Sequence, residues 1–190
     1  MKVKVGISNR HVHLTESDKD ILFGSGYELT KLRDLTQPGQ FATEEVLTIE
    51  SDSKKIENVR IIGPLRSYTQ VEISRSDALR LKLDPPIRSS SDIKGSEKIR
   101  IIGPNGSVDK EEGCIIANRH IHMTQSDADK YNYKNDDIVK VKLHGIKGGT
   151  IDNVYIKIMN DAFFELHIDT DDAAAHLVNQ GDEADIINEK

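Results

Sequence analysis

Apolar residues along this chain fall in short runs rich in Val and Ile, separated by polar or glycine-containing stretches. Such runs are too short for core helices, and they carry the β-branched residues that pleated surfaces favour. Strands are predicted over Lys2–Ile7, Glu45–Ile49, Val59–Ile62, Gln70–Ile73, Lys98–Ile102, Cys114–Asn118, Ile138–Leu143, Asn153–Ile158, Phe163–Ile168 and Glu183–Ile187. Short strands with only brief helical segments between them predict a mostly β protein: two small β-barrels with short helical caps, not an α/β sheet. The run Asp84-Pro85-Pro86-Ile87-Arg88-Ser89-Ser90-Ser91 reads as the loop between the two halves, because proline cannot sit mid-sheet.

The pattern repeats. Ser8-Asn9-Arg10-His11-Val12-His13-Leu14-Thr15 recurs as Ala117-Asn118-Arg119-His120-Ile121-His122-Met123-Thr124, and the step is the same for both histidines (120 − 11 = 109 and 122 − 13 = 109). Farther along, Ile56-Glu57-Asn58-Val59 matches Ile151-Asp152-Asn153-Val154 at a smaller step (151 − 56 = 95), which sets Glu72 against His167. The chain is an internal duplication, and the first half carries 14 more residues (109 − 95 = 14) between Asp18 and Ile56. Their place is Leu29 to Phe41, around the turn signal Thr36-Gln37-Pro38-Gly39.

Each half therefore offers His-x-His plus one further ligand-type residue. Each candidate is followed two positions on by a helix N-cap residue: Thr15 after His13, Ser74 after Glu72, Thr124 after His122 and Asp169 after His167. An acid stands three residues beyond each cap, at Asp18, Asp77, Asp127 and Asp172, an approximate capping box. The ligands thus sit at strand ends just before short helices. On a strand, residues i and i+2 share a face roughly 6.5 Å apart, so two imidazoles can converge on one ion; helical spacing would splay them. A third ligand from a neighbouring strand leaves room for water or substrate, the pattern of a catalytic zinc. A lone His-x-His is more often a half-exposed pair without metal, but retention in both halves, each with a third ligand, favours metal.

Composition narrows the classes. The chain has 190 residues, 31% of them charged, and a mean hydropathy of −0.51, which allows one or two domains with real cores. No apolar run approaches membrane-spanning length and there is no signal peptide, so no membrane partner is expected. A net charge of −6, with no Lys/Arg cluster interleaved with aromatics, argues against nucleic acid. A single cysteine excludes an internal disulfide framework; Cys114 aligns with Val5 and reads as a small core residue. His144 and His176 have no counterpart histidines and read as surface.

The halves differ at Arg66, which aligns with Asp161 and lies six residues before Glu72. An arginine fork beside a metal suits phosphate or carboxylate, and on the residues alone a solvated loop charge is an equal reading.

Asn9-Arg10-His11-Val12-His13-Leu14, the block Gly63-Pro64-Leu65-Arg66-Ser67-Tyr68-Thr69-Gln70-Val71-Glu72-Ile73-Ser74, Pro86-Ile87-Arg88 and Asn118-Arg119-His120-Ile121-His122 together resemble the signature of PduL-type phosphate acyltransferases, the phosphate propanoyltransferase family. The resemblance spans nearly the whole chain. It implies an enzyme with two Zn2+ ions that exchanges CoA and phosphate on a short acyl group, acetyl or propanoyl. By motif, His11, His13 and Glu72 hold one zinc, His120, His122 and His167 the other, and Arg66 is the catalytic, phosphate-handling arginine. The implied fold exchanges the first strand into the C-terminal barrel, which would bring both metal sites to one cleft. The implied domains are 10–117, with a CoA-side insertion at about 24–44, and 118–188 with strand 1–9.

Arg33, Arg88 and Ser90 are weaker candidates for contacts to acyl-CoA or phosphate. Direct attack of phosphate is favoured, because no serine–histidine or cysteine–histidine pair is visible. A dinuclear metallohydrolase and a non-catalytic metal-binding module are the alternatives. The family implies a homo-oligomer. The amphipathic N-terminal extension of microcompartment members is not in this sequence, which suggests a cytoplasmic bacterial enzyme making acetyl phosphate, or a trimmed chain.

Overall fold

The computed structural model describes residues 1–187; residue 188, the expected end of the second barrel, lies outside the described residues. The strands are β1 (Lys2–Ser8), β2 (His11–His13), β3 (Lys31–Asp34), β4 (Phe41–Glu50), β5 (Lys55–Gly63), β6 (Gln70–Glu72), β7 (Ile87–Arg88), β8 (Glu97–Ile102), β9 (Ser107–Ala117), β10 (His120–Thr124), β11 (Ile138–Leu143), β12 (Gly149–Met159), β13 (Glu165–Asp169) and β14 (Glu183–Ile187). Four short helices complete the set: α1 (Glu16–Phe23), α2 (Arg75–Leu81), α3 (Gln125–Tyr131) and α4 (Thr170–His176). The protein is mostly β, as its short Val/Ile runs predict.

Two compact units make up the chain: Arg10–Ala117, and Met1–Asn9 with the chain from Asn118 onward. In the second, β1-β13-β10-β12-β11-β14 closes into a six-stranded barrel. In the first, β4, β5, β2, β6, β9 and β8 pair in turn and β8 returns to β4, closing an equivalent ring that also carries β3 and β7. Arg60-Ile61-Ile62 recurs as Arg100-Ile101-Ile102, and the two runs fall on β5 and β8, the strands that flank β4.

The steps 109 and 95 map β1, β2, β5 and β6 onto β9, β10, β12 and β13 and expose an exchange. β1 aligns with β9, yet β1 pairs in parallel with β13 of the second repeat, Val5 opposite Leu166. Reciprocally, β9 pairs with β6 of the first repeat, Cys114 opposite Val71. Each repeat lends its opening strand to the other's barrel, in the same register (114 − 5 = 109; 166 − 71 = 95). Each barrel then encloses its own apolar core, Val12, Ile61, Val71, Ile101 and Cys114 in one and Val5, Ile121, Ile156, Leu166 and Ile186 in the other. Complete closure also leaves no ring strand with an unpaired edge.

Four expectations need correcting. The run at Cys114–Asn118 is only the end of β9, whose earlier part, Ser107 to Gly113, is charged and buries little besides Val108 and Gly113, so it carries no apolar signal. β3 is likewise hidden, because all four of its residues are exposed on the hairpin with β4; it occupies the 14-residue excess of the first half. Asp84–Ser91 does not separate the halves: it lies within the first unit, and its Ile87–Arg88 pairs with β9. His176 is partly buried, with Nδ1 3.2 Å from the Lys147 carbonyl, whereas His144 is at the surface beside Asp185.

Burial pushes the Cys114 thiol up to about 12, with the Glu97 carboxylate adding to the effect. The thiol is thus protonated at pH 8, and a protonated buried thiol is a poor nucleophile. Ellman's reagent should leave the native protein unlabelled and react with one thiol per chain once it is unfolded. Rapid labelling of the native protein would contradict this placement.

Candidate metal centres

The local chain path is the same at all four ligand positions. Thr15, Ser74, Thr124 and Asp169 each have extended backbone and accept a hydrogen bond from the N–H three residues on, so each helix is capped two residues after a candidate ligand and begins at the third. Only Thr124 and Asp127 form the complete reciprocal capping box. The other acids are engaged elsewhere. Arg10 Nε donates to Asp77 at 2.8 Å, and Arg119 grips Asp172 with Nε and Nη2 at 2.7 and 2.6 Å. These are the same brace in both halves (119 − 10 = 109; 172 − 77 = 95), tying the residue before each His-x-His to the helix after the third ligand. Asp18 accepts from Thr69 and from Lys110 at 3.0 Å; burial would raise its pKa, but these bonds outweigh it and hold the carboxyl below its usual range.

Register then sets the candidate ligands opposite one another. His11 pairs with Glu72 across β2 and β6, and His120 with His167 across β10 and β13. Within each set one ligand atom per residue lies within 4.8 Å of the others, so His11/His13/Glu72 and His120/His122/His167 are both groups that could hold a metal ion. His13 and Glu72 are 2% and 9% exposed, His120 and His122 8% and 4%.

The donor chemistry suits a cation. His120 Nδ1 faces the Asn118 carbonyl at 2.8 Å and His13 Nδ1 the Ile62 carbonyl at 3.0 Å; a carbonyl only accepts, so these nitrogens carry the ring proton and Nε2 keeps the lone pair. His122 Nδ1 lies 3.0 Å from the Met159 sulfur, again an acceptor. The Nε2 atoms of His120 and His122 are 3.1 Å apart, two lone pairs held together in a buried place, an arrangement a shared cation relieves. In the other set His11 Nε2 is 3.5 Å from Glu72 Oε2.

Arg66 is half-buried in the loop before β6; its Nη1 donates to Tyr68 Oη and Ser90 Oγ, both at 3.2 Å. Gln70 Nε2 donates in turn to Ser90 Oγ at 2.9 Å and to Glu72 Oε1 at 2.6 Å, so a hydrogen-bonded chain joins Arg66 to the candidate ligand Glu72. Ser90 is brought to Arg66. Arg33 lies exposed on β3, and Arg88 gives Nη1 to Asp92 at 3.0 Å.

A family model described as phosphate propanoyltransferase matches residues 4–179. The phosphate propanoyltransferase of Thermotoga maritima is 52% identical over 94% of this chain and 85% of its own length. That of Priestia megaterium is 49% identical over 95% and 83%, and that of Salmonella typhimurium 41% identical over 91% and 82%. The chain belongs to the phosphate propanoyltransferase family. It is an acyltransferase. Among the described residues, no helix is long and apolar enough to cross a membrane.

Several polar residues around this acyltransferase's candidate ligand sets escape a reading of the sequence. Gln70 and Glu165 each stand two residues before a third ligand, on the same strand face, and nothing in their residue type announces a ligand's neighbour. The Arg10–Asp77 and Arg119–Asp172 braces had a signal, since arginine precedes both His-x-His pairs, but the acids read as capping.

Burial holds both His13 and His122 below their ordinary range. For His13 the nearby His11 and Arg66 add to it, and for His122 the nearby His120 and His167. They are therefore neutral at pH 7, the form that ligates metal. A group whose native pKa is lowered takes up protons only in the unfolded chain below about pH 6.5, so stability is full above that pH and is lost as pH falls beneath it. In urea titrations of metal-stripped protein the unfolding free energy should drop between pH 7 and pH 5, by up to about 1.4 kcal/mol per pH unit per histidine, and the midpoint with it. His122→Gln should flatten the slope; a midpoint independent of pH in this window would refute the assignment.

Proposed function

We propose that this acyltransferase is a phosphotransacylase that interconverts a short-chain acyl-CoA, acetyl or propanoyl, and inorganic phosphate with the acyl phosphate and CoA. The reading is carried by two three-ligand sets, each built from His-x-His and a cross-strand partner, with Arg66 hydrogen-bonded through Ser90 and Gln70 to one of them. The names of the relatives supply the substrate class. In this reading His11, His13 and Glu72 hold one Zn2+ and His120, His122 and His167 a second. Zinc in such sets supplies Lewis acidity toward a thioester oxygen and a soft acceptor for a thiolate.

The chain's own groups do the rest. Ser90 and Tyr68 hold the Arg66 guanidinium by Nη1, which leaves its other N–H donors to bind the phosphate dianion and the charge that grows on the acyl oxygen. A phosphate oxygen then forms the new bond to the acyl carbon as the carbon–sulfur bond breaks, and the electron pair leaves with the CoA thiolate. Direct attack is supported by the state of Cys114, buried in the core with its thiol pushed up to about 12, which makes it unfit to carry the acyl group.

Thiol release from acetyl-CoA or propanoyl-CoA should require phosphate and yield acyl phosphate, and protein purified without chelator should contain close to two zinc ions per chain. Phosphate-independent release would instead identify a dinuclear metallohydrolase, and a metal-free, fully active preparation would end the zinc reading. Arg66→Ala should keep its metal and fold while turnover falls roughly a hundredfold, as when one transition-state charge partner is lost. Wild-type rates would make Arg66 a surface charge.

The β3 hairpin, unique to the first half, is proposed to form part of the CoA entrance, with Arg33 offering a cation to CoA phosphates. Shortening residues 29–41 should raise KM for acyl-CoA far more than KM for phosphate. Equal changes, or none, would make the hairpin structural.

A further inference from the structure

Glu165 is among the most buried charged residues in the protein, at 1% exposure. It stands two positions before His167 on β13, directly across from His122, and its Oε2 lies 2.7 Å from His167 Nε2. Its counterpart in the first half is Gln70 (165 − 95 = 70), two positions before Glu72 and across from His13, with Nε2 donating to Glu72 Oε1 at 2.6 Å. The two dyads are the same construction with polarity reversed. Where the third ligand is a carboxylate, its neighbour is an amide that donates; where the third ligand is an imidazole, its neighbour is a carboxylate that accepts. Each set thereby keeps one carboxylate, inside the ligand set in one and behind it in the other.

Gly6 supplies an independent sign that the second dyad is built in. It pairs in register with His167, and a Cβ there would lie 2.7 Å from Glu165 Cδ and 2.8 Å from His167 Cδ2. At the equivalent place in the first barrel (6 + 109 = 115) the fully buried Ile115 pairs with Glu72. The strand position thus tolerates a large side chain beside Gln70 and Glu72, and only the Glu165–His167 pair needs it empty. A buried carboxylate is costly to hold unless positive charge compensates it, and neutral donors such as the His167 imidazole and the Gln180 amide, whose Nε2 donates to Glu165 Oε1 at 3.4 Å, do that poorly. An imidazole relaying to a cation on its far side does it well, and such outer carboxylates fix ring orientation and raise ligand basicity.

We propose that Glu165 is a positioning residue for the His120/His122/His167 metal site: it accepts from His167 Nε2, so that Nδ1 is the nitrogen presented to the ion, and Gly6 is the clearance that lets the pair form. The inference rests on the zinc reading of that ligand set.

The test is chelator competition with zinc-loaded protein, measuring the affinity of each of the two ions, with circular dichroism to monitor the fold. Glu165→Gln should weaken one ion by about ten- to a hundredfold and leave the other unmoved. The double variant Glu165→Gln/His167→Glu, which writes the first half's Gln-x-Glu into the second, should recover most of the lost affinity. Gly6→Ala, which keeps the carboxylate but displaces it from the ring, should act like Glu165→Gln and carries the test if that variant does not fold. Wild-type affinity for both ions in Glu165→Gln, or equal loss at both, would overturn the positioning role. Wild-type protein that binds no zinc would instead overturn the metal reading itself.

Discussion

Two imidazoles on one strand converge only if the strand stays extended and its neighbour is held in one register. A slip of a single residue would carry His11 and His13, or His120 and His122, to the core face and bring Val12 or Ile121 out. The apolar residue inside each His-x-His prevents this. Val12 and Ile121 are fully buried in their barrel cores, so the hydrophobic effect that closes each barrel also fixes which way the histidines point. Opposite them, Val71 and Leu166 do the same for the strands that present Glu72 and His167. The candidate ligands are positioned by the fold's strongest constraint, the alternation of its strands.

Local devices refine what register sets. Each ligand strand ends within two residues in a capped helix, which stops the strand from fraying at the point where the ligands sit. The Arg10–Asp77 and Arg119–Asp172 braces then bind the start of one ligand strand to the end of the other, so two short segments act as one rigid piece. Exchange of β1 and β9 matters for the same reason: each borrowed strand lies in parallel beside a third-ligand strand and shields its far edge. A strand as short as β6, Gln70–Glu72, would not hold its place without a partner on both sides.

Most of the geometry of the candidate ligands was legible because repetition turns weak signals into strong ones. The pair His11/His13 alone says little, but its return as His120/His122, with Glu72 and His167 aligned at a second step, fixes both sets, and the capping residues fix where each helix begins. Parts of the fold without apolar alternation stayed hidden: the exposed β3 and the charged first half of β9 hydrogen-bond through their backbones whatever their side chains do. The loop at Asp84–Ser91 misled because proline-rich composition marks an interruption, and says nothing of whether two domains lie on either side. Gln70, Glu165 and Gly6 are the deeper omission. Their roles are relational, arising from what stands two residues away or across the sheet, and no residue type carries that information by itself.

Duplication followed by divergence explains why the two sets differ where they do. The scaffold elements, register, caps and braces recur almost unchanged, because any loss would misplace all three ligands at once. Divergence falls on the third ligand and its neighbours, where charge can change without moving the backbone. In the first set the candidate third ligand, Glu72, is itself anionic, and Arg66, aligned with Asp161 in the other half, adds a cation connected to it through Ser90 and Gln70. In the second set all three candidate ligands are imidazoles and the anion stands behind them at Glu165. Under the phosphotransacylase reading this division has a use. A phosphate dianion must be drawn toward a site that already contains a carboxylate, and a fixed guanidinium supplies the attraction that the anionic ligand removes. The set without an anionic ligand needs no such partner, which accounts for Asp161 standing where the first half has Arg66.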